Sequence, residues 1–464
     1  MPLNNYKKQF KDKKITIMGL GLLGRGLGYT KFLAECGADL VVTDLKTKEQ
    51  LATSVKALSK FKNIKFVLGE HRLDDFKNRD MIIKAAGVPF DSIYINEAKK
   101  NNIPVEMDVS LFAKCSPEVV VIGVTGTRGK SMTTTLIYEI LKANEKFLKR
   151  NVYVGGNLRG VATLPLLKKV KDGDILVCEL DSWQLQGFGE SKLSPDISVF
   201  TTFMPDHMNY YKDSMERYFD DKANIFKYQI EGDVLIVRPD MKKLIPKDIE
   251  SKLIVVNKKD VLDWKFNVPG EHHRENLACA VAVAKILDIP ETKIKKAVAN
   301  FKDLEGRLQL LKVYKGVKIY NDNNATTPEA TIAGIEALKY TQSPHVRHVG
   351  TSHMSDVWVN RKIILVCGGA DKKLDLTNFV KIVNKYCKAV VLIPGTGTDI
   401  LLNNYKLKVP KQTGKNLKDV IKTALGLAYR GDIILFSPAF ASFGMFNNEY
   451  ERNDLFMKIV KKLK

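Results

Sequence analysis

The residues between Val119 and Ser131 carry the strongest chemical signal in this chain. An apolar run over 119–124 reads as a strand covered on both faces. Thr125-Gly126-Thr127-Arg128-Gly129-Lys130-Ser131 then reads as a glycine turn opening a helix. Backbone N–H groups at such a helix start face an anion, and Lys130 and Ser131 supply a charge for phosphate and a hydroxyl for its magnesium. Val124 occupies the place of the first glycine in the full phosphate-loop motif. Two readings therefore stay open, triphosphate binding or a glycine turn before an ordinary helix. A strand over 174–179 delivers Glu179 either to that magnesium or to solvent as a strand-end acid. After a strand over 197–202, His207 in Pro205-Asp206-His207 reads as a metal or phosphate ligand or as a capped turn histidine.

Other polar residues are ambiguous by themselves. Lys222 reads as a helix-surface lysine, Arg307 as a surface cation, Asp322 as a turn cap, and Lys372 and Ser442 as loop residues. His272 and His273 lack zinc spacing, whereas Asn276, at the entry to an alanine-rich helix, suits base recognition.

Three units must position these groups. The first opens with a strand, the glycine turn from Gly19 and Leu20 to Gly24, a helix, and a strand ending at Asp44. That grammar belongs to a dinucleotide-type fold and fits another nucleotide diphosphate equally well. Asp44 then accepts from a ribose or base, or is a solvent-facing acid after a tight turn. A strand over 82–85 leads to Gly87-Val88-Pro89, where Gly87 is expected to supply backbone freedom. Ser-Pro near 116 marks a boundary to the second unit, and the third starts near Leu308, with strands at 317–322, 363–368, 389–393 and 432–437. The segment 343–359 reads as an insertion whose His345, His348 and His353 do not establish a metal site.

At 464 residues and 45% hydrophobic content, the chain suits about three globular cores. Its formal charge of +22 implies anionic partners. Without a dense basic tail or aromatic-interleaved stretch, small anionic substrates are expected and nucleic acid is not. Six cysteines without metal or redox pairing fit reduced thiols. With no secretory pattern and no apolar run of membrane-spanning length, a cytoplasmic protein without an integral membrane segment is expected.

The ordered set resembles the Mur ligase family along essentially the whole chain. It comprises the Gly19 corner, 125–131, Gly155-Gly156-Asn157, Glu179 with Gln184-Leu185, Pro205-Asp206-His207, Tyr218 to Lys222, Asn276, Arg307, Asn321-Asp322, the Gly368 loop and 437–443. The resemblance implies a three-domain α/β architecture: a Rossmann-like domain (1–115), a P-loop ATPase-like domain (116–307) and a second Rossmann-like domain (308–464). It also implies ATP-dependent ligation of D-glutamate to UDP-N-acetylmuramoyl-L-alanine through an acyl phosphate, in peptidoglycan precursor synthesis, by a cytoplasmic monomer. ATP would meet Thr127, Gly129, Lys130, Ser131, Asn276, Arg307 and Asp322. Mg2+ would meet Ser131, Glu179, His207 and a carbamylated Lys222, with Lys130, His207 and Lys222 as the catalytic group. The muramoyl substrate would meet Gly19, Leu20, Asp44, Asn157 and Gln184, and D-glutamate Thr326, Lys372, Ser442 and Phe443. Arg128, Asp181, His273, Gly306, Asn324 and Gly444 depart from frequent family choices. The alternatives are a Mur or folylpolyglutamate-type ligase with another acceptor, or a non-catalytic nucleotide-binding protein.

Overall fold

Aliphatic runs in this chain assemble into three sheets whose strand ends carry the polar loops. The computed structural model describes residues 5–339 and 361–463, so the insertion read at 343–359, with its three histidines, lies outside the described residues. The first sheet comprises β1 (Lys14–Met18), β2 (Asp39–Asp44), β3 (Ile64–Leu68), β4 (Met81–Lys84) and β5 (Val105–Glu106), in the order β3-β2-β1-β4-β5. The second comprises β6 (Val120–Thr125), β7 (Val152–Gly156), β8 (Ile175–Glu179), β9 (Ile197–Phe200), β10 (Val234–Val237) and β11 (Lys252–Val255), in the order β11-β10-β9-β6-β8-β7. The third comprises β12 (Gln309–Tyr314), β13 (Val317–Asn321), β14 (Ile363–Gly368), β15 (Cys387–Ile393), β16 (Lys411–Thr413) and β17 (Ile433–Phe436), in the order β12-β13-β17-β14-β15-β16. Pairing is parallel except at the β12–β13 edge.

Both faces of these sheets are covered, as parallel strands require. In β14, Ile363, Leu365 and Cys367 join one apolar cluster while Ile364 and Val366 join another, the period of two expected across a pleat. A single cluster runs from Ile15, Ile17 and Leu33 near the first sheet to Leu164, Leu176 and Phe200 near the second. Residues Met1–Trp264 with Glu275–Val298 form one compact unit, and Lys265–Arg274 with Ala299–Lys464 form another.

Within the first of these units, small residues let the glycine turn serve packing. A Cβ on Gly28 would stand 2.6 Å from the Ala162 Cβ, so helix Arg25–Glu35 lies directly on the loop after β7. Gly87 does not have the role expected of it. Its φ is not in the left-handed region and its surroundings are open, so the corner after β4 is held by other contacts.

Asp108 joins the first two sheets. It opens helix Asp108–Cys115 and is buried, and its two oxygens accept the N–H groups of Thr163 and Leu164, each at 2.8 Å. Burial raises its pKa, and the two N–H bonds oppose that rise. Asp108→Ala would leave both donors buried and unpaired, lowering unfolding free energy by about 2–4 kcal/mol, while Asp108→Asn, which retains an acceptor, loses less. Urea unfolding monitored by circular dichroism checks this, and an Ala variant as stable as the parent would remove Asp108 from that role.

Candidate active site

The turn after β6 is shaped by backbone that only glycine fits. Gly126 and Gly129 have φ of +140° and +90°. A Cβ on the first would stand 2.1 Å from Thr201 Oγ1, and on the second 2.6 Å from Asn276 Oδ1. The turn closes on the end of β9. The Thr127 N–H donates to Thr202 O (2.7 Å), the Arg128 N–H to Thr202 Oγ1 (2.8 Å) and the Thr201 hydroxyl to Arg128 O (2.6 Å). Thr127 is buried and its hydroxyl donates to Met204 O at 3.1 Å, so this residue serves the turn's shape with both its donors. Helix Lys130–Lys142 follows, with Ser131 half-buried in its first turn. Lys130 Nζ folds back to Gly126 O (2.8 Å) and Thr127 O (3.2 Å). Arg128 pairs with Asp206 at 2.9 Å. Asn276, on helix Glu271–Ile286, is buried against Gly129.

Three groups surround this turn. Glu179 ends β8 in register beside Val124. It is only 4% exposed, which overturns the reading of a solvent-facing acid, and its Oε2 is buried without a hydrogen-bond partner. His207 has a left-handed φ of +55°, its ring lies tilted 4.7 Å from that of Trp183, and it stands 3.9 Å from Asp206. Partial burial, opposed by Asp206, lowers its pKa. Lys222, on helix Met215–Ala223, is 1% exposed, so it is no surface lysine. Its Nζ donates to Gly126 O at 3.1 Å and lies 4.9 Å from the Tyr218 ring centre. Burial first, then the Lys130 charge, hold its pKa well below that of a free amine. Among the described residues, no three His, Cys, Asp or Glu side chains gather as a metal cluster.

At the first sheet, Gly19 has φ +94° and lies against Ala85, where a Cβ would approach to 2.8 Å. Leu20 is buried. Asp44 is buried rather than solvent-facing, and accepts from the Gly21 and Lys46 N–H groups, each at 2.9 Å. The Asn157 N–H donates to Glu179 O at 2.7 Å, and Gln184 is buried in helix Ser182–Glu190. The structure thus brings Asn157 and Glu179 together, while Gly19, Leu20 and Asp44 gather at the first sheet.

In the unit containing the third sheet, Asp322 is buried. Its carboxylate accepts from the Ser437 hydroxyl (2.8 Å) and the Leu308 N–H (3.1 Å), and burial pushes its pKa up to about 7. Arg307 acts on it through its charge. Lys372 Nζ donates to Thr326 Oγ1 at 3.1 Å, joining two residues expected at the amino-acid site. Ser442 is buried, whereas Phe443 is 62% exposed. Sequence reasoning passed over Lys84 and Arg452, both 1% exposed. A lysine closing the apolar run Met81-Ile82-Ile83 was a signal for the first; an arginine in a polar helix such as Glu449–Lys461 offered none for the second.

Models of the Mur ligase MurD-like N-terminal domain and the Mur ligase middle domain match residues 13–106 and 124–252. The UDP-N-acetylmuramoylalanine–D-glutamate ligase of Roseiflexus sp. is 33% identical, the match covering 98% of this chain and 99% of that protein. The same-named ligase of Borreliella afzelii is 34% identical, with coverage of 98% and 99%. Among solved structures, the UDP-N-acetylmuramate–alanine ligase MurC of Thermotoga maritima superposes with a TM-score of 0.60 at 18% identity, covering 97% of this chain and 100% of that one, a likeness of fold. Full-length identity at this level, on three sheets whose strand ends present these loops, shows that the chain belongs to the Mur ligase family, among the UDP-N-acetylmuramoylalanine–D-glutamate ligases.

Proposed function

We propose that the chain joins D-glutamate to UDP-N-acetylmuramoyl-L-alanine with ATP, in peptidoglycan precursor synthesis. The observation carrying this reading is that Lys130 and Lys222 approach the Gly126 carbonyl while Glu179 ends the neighbouring strand with one buried oxygen unpaired. Such a site is prepared for phosphate charge and a hard cation. Relatives named for that activity, aligned over nearly the full chain, support the same conclusion.

In the reaction, the alanyl carboxylate attacks the γ-phosphorus of ATP and ADP leaves. The D-glutamate nitrogen then attacks the acyl carbon, phosphate leaves, and the nitrogen loses a proton as the amide forms. Lys130 stabilises charge on the transferring phosphoryl group, and the N–H groups opening its helix orient the phosphates. Asn276 takes the base, and Arg307 and Asp322 belong with the nucleotide. Gly19, Leu20 and Asp44 form the uridine-diphosphate corner, and Asn157 and Gln184 border the muramoyl-alanine. Thr326, Lys372, Ser442 and Phe443 receive D-glutamate, with Lys372 pairing a carboxylate. Domains at 1–115, 116–307 and 308–464 divide these tasks.

The donor set fits magnesium once Lys222 changes chemistry. Glu179 and Ser131 offer oxygen, whereas an amine is a poor ligand for a hard cation. An uncharged buried amine attacks CO2 and releases a proton, giving a carbamate anion that, with Glu179, Ser131 and His207, would hold Mg2+. Bound magnesium would supply positive charge against the phosphates. Among the described residues no helix is long and apolar enough to cross a membrane, and all six cysteines are free thiols. Both accord with a protein of a reducing, cytoplasmic compartment.

Three measurements test this reading. Incubating the protein with ATP, magnesium and UDP-N-acetylmuramoyl-L-alanine should give, by mass spectrometry, an adduct with D-glutamate and equimolar ADP; an adduct with L-glutamate or another amino acid alone would reassign the acceptor. Lys130→Met should lower kcat on the order of 100- to 1,000-fold in a folded protein; unchanged turnover would move the phosphate site elsewhere. With 13C-bicarbonate, the parent should show a carbamate carbon resonance that Lys222→Ala lacks; full turnover without that resonance would exclude the modified lysine.

A further inference from the structure

Lys84 is a buried cation that the reaction above does not use. It closes β4 in register with Met18, the residue before Gly19. In the order β3-β2-β1-β4-β5 the chain turns from one side of the sheet to the other between β1 and β4, and the crevice beyond the strand ends at such a point receives ligands. Lys84 Nζ donates to Val88 O at 2.9 Å and stands 4.1 Å from the Phe90 ring centre, so it ties both to the corner after β4. That corner packs on the glycine turn. The Ala85 N–H donates to Met18 O (2.8 Å), and a Cβ on Gly19 would lie 2.8 Å from the Ala85 Cβ and 3.7 Å from Val88 Cγ2.

Facing the ammonium from the second sheet's elements are the charges of Asp181, Asp221 and Glu190; Lys99, which shares the Phe90 ring at 5.0 Å and pairs with Glu190 at 2.8 Å, opposes them. Burial lowers Lys84 to about 7 despite the three carboxylates. A lysine retained under that desolvation is held by its carbonyl, its ring and its acidic surroundings, and it cannot shift without releasing Val88.

We propose that Lys84 is a positioning residue for the nucleotide-sugar substrate, setting the shape of its pocket by fixing the 85–88 corner against the Gly19 turn. The inference rests on the assignment of UDP-N-acetylmuramoyl-L-alanine to that corner. Steady-state kinetics with each of the three substrates varied in turn, alongside thermal unfolding, test it. Lys84→Met should raise KM for the nucleotide-sugar about tenfold while kcat and the KM values for ATP and D-glutamate stay within about twofold. Lys84→Arg, which keeps a donor and a charge, should recover part of that loss, and Phe90→Leu should give a smaller rise of the same kind. A nucleotide-sugar KM unchanged in folded Lys84→Met, or three KM values rising together with a fall in Tm, would overturn the proposal. Should Lys84→Met not fold, Phe90→Leu decides on the same criteria. A parent protein that neither binds nor consumes the nucleotide-sugar would bring down the functional assignment and this inference with it. A parent that turns it over, with variants of unchanged KM, would remove the inference alone.

Discussion

Two lysines meet at one carbonyl, and the catalytic unit is built around that constraint. Lys130 and Lys222 both donate to Gly126 O, at 2.8 and 3.1 Å. Two ammonium groups sharing one acceptor repel, and the Lys130 charge is among the causes that lower the Lys222 pKa. The fold answers this by withholding water from Lys222, and that burial, with the Lys130 charge, holds its pKa well below that of a free amine, while Lys130 stays half-buried. Burial thus favours the uncharged form of the very group whose charge would oppose Lys130.

That arrangement requires the turn to stay closed on β9. Thr201 and Thr202 accept and donate around the 126–128 backbone, and any side chain at Gly126 would collide with them. The Arg128–Asp206 pair extends the same clamp toward His207. A turn held this way fixes the direction of the N–H groups at the helix start.

Every strand read from the sequence exists, and all but one of those that were missed have a common cause. β3 and β5, β7 and β11, and β12 and β16 are the six sheet edges, and only β10 was missed away from an edge. Edge strands have a neighbour on one side only and carry weaker apolar patterns, as in Lys411-Gln412-Thr413, which is exposed throughout. The turn after β6 was legible because its glycines and lysine are contiguous. Lys222, Asp322 and Asp108 were legible only as residue types. Their burial comes from partners 97, 115 and 55 positions away, which local spacing cannot report.

The three cations among the largest fully buried side chains are Lys84, Lys222 and Arg452, and each belongs with a different sheet. All three donate to backbone carbonyls of loops at strand ends. Lys84 holds Val88 O beyond β4, and Lys222 holds Gly126 O beyond β6. Arg452 reaches Asn323 O beyond β13 and Phe440 O beyond β17, while its Nε donates to Asn323 Oδ1. Such carbonyls lie past the last rung of the ladder, where no neighbouring strand supplies an N–H. Water could satisfy them but would leave the loops free to move. A buried cation satisfies them with a charge-strengthened donor, and it anchors the loop to a rigid element. The cost is desolvation, visible as pKa values lowered in all three, to about 7 at Lys84 and about 10 at Arg452. Arginine stands where two loops must be spanned at once, because its planar fork offers several fixed donors. Lysine stands where one carbonyl suffices, at Val88 O for Lys84 and at Gly126 O for Lys222.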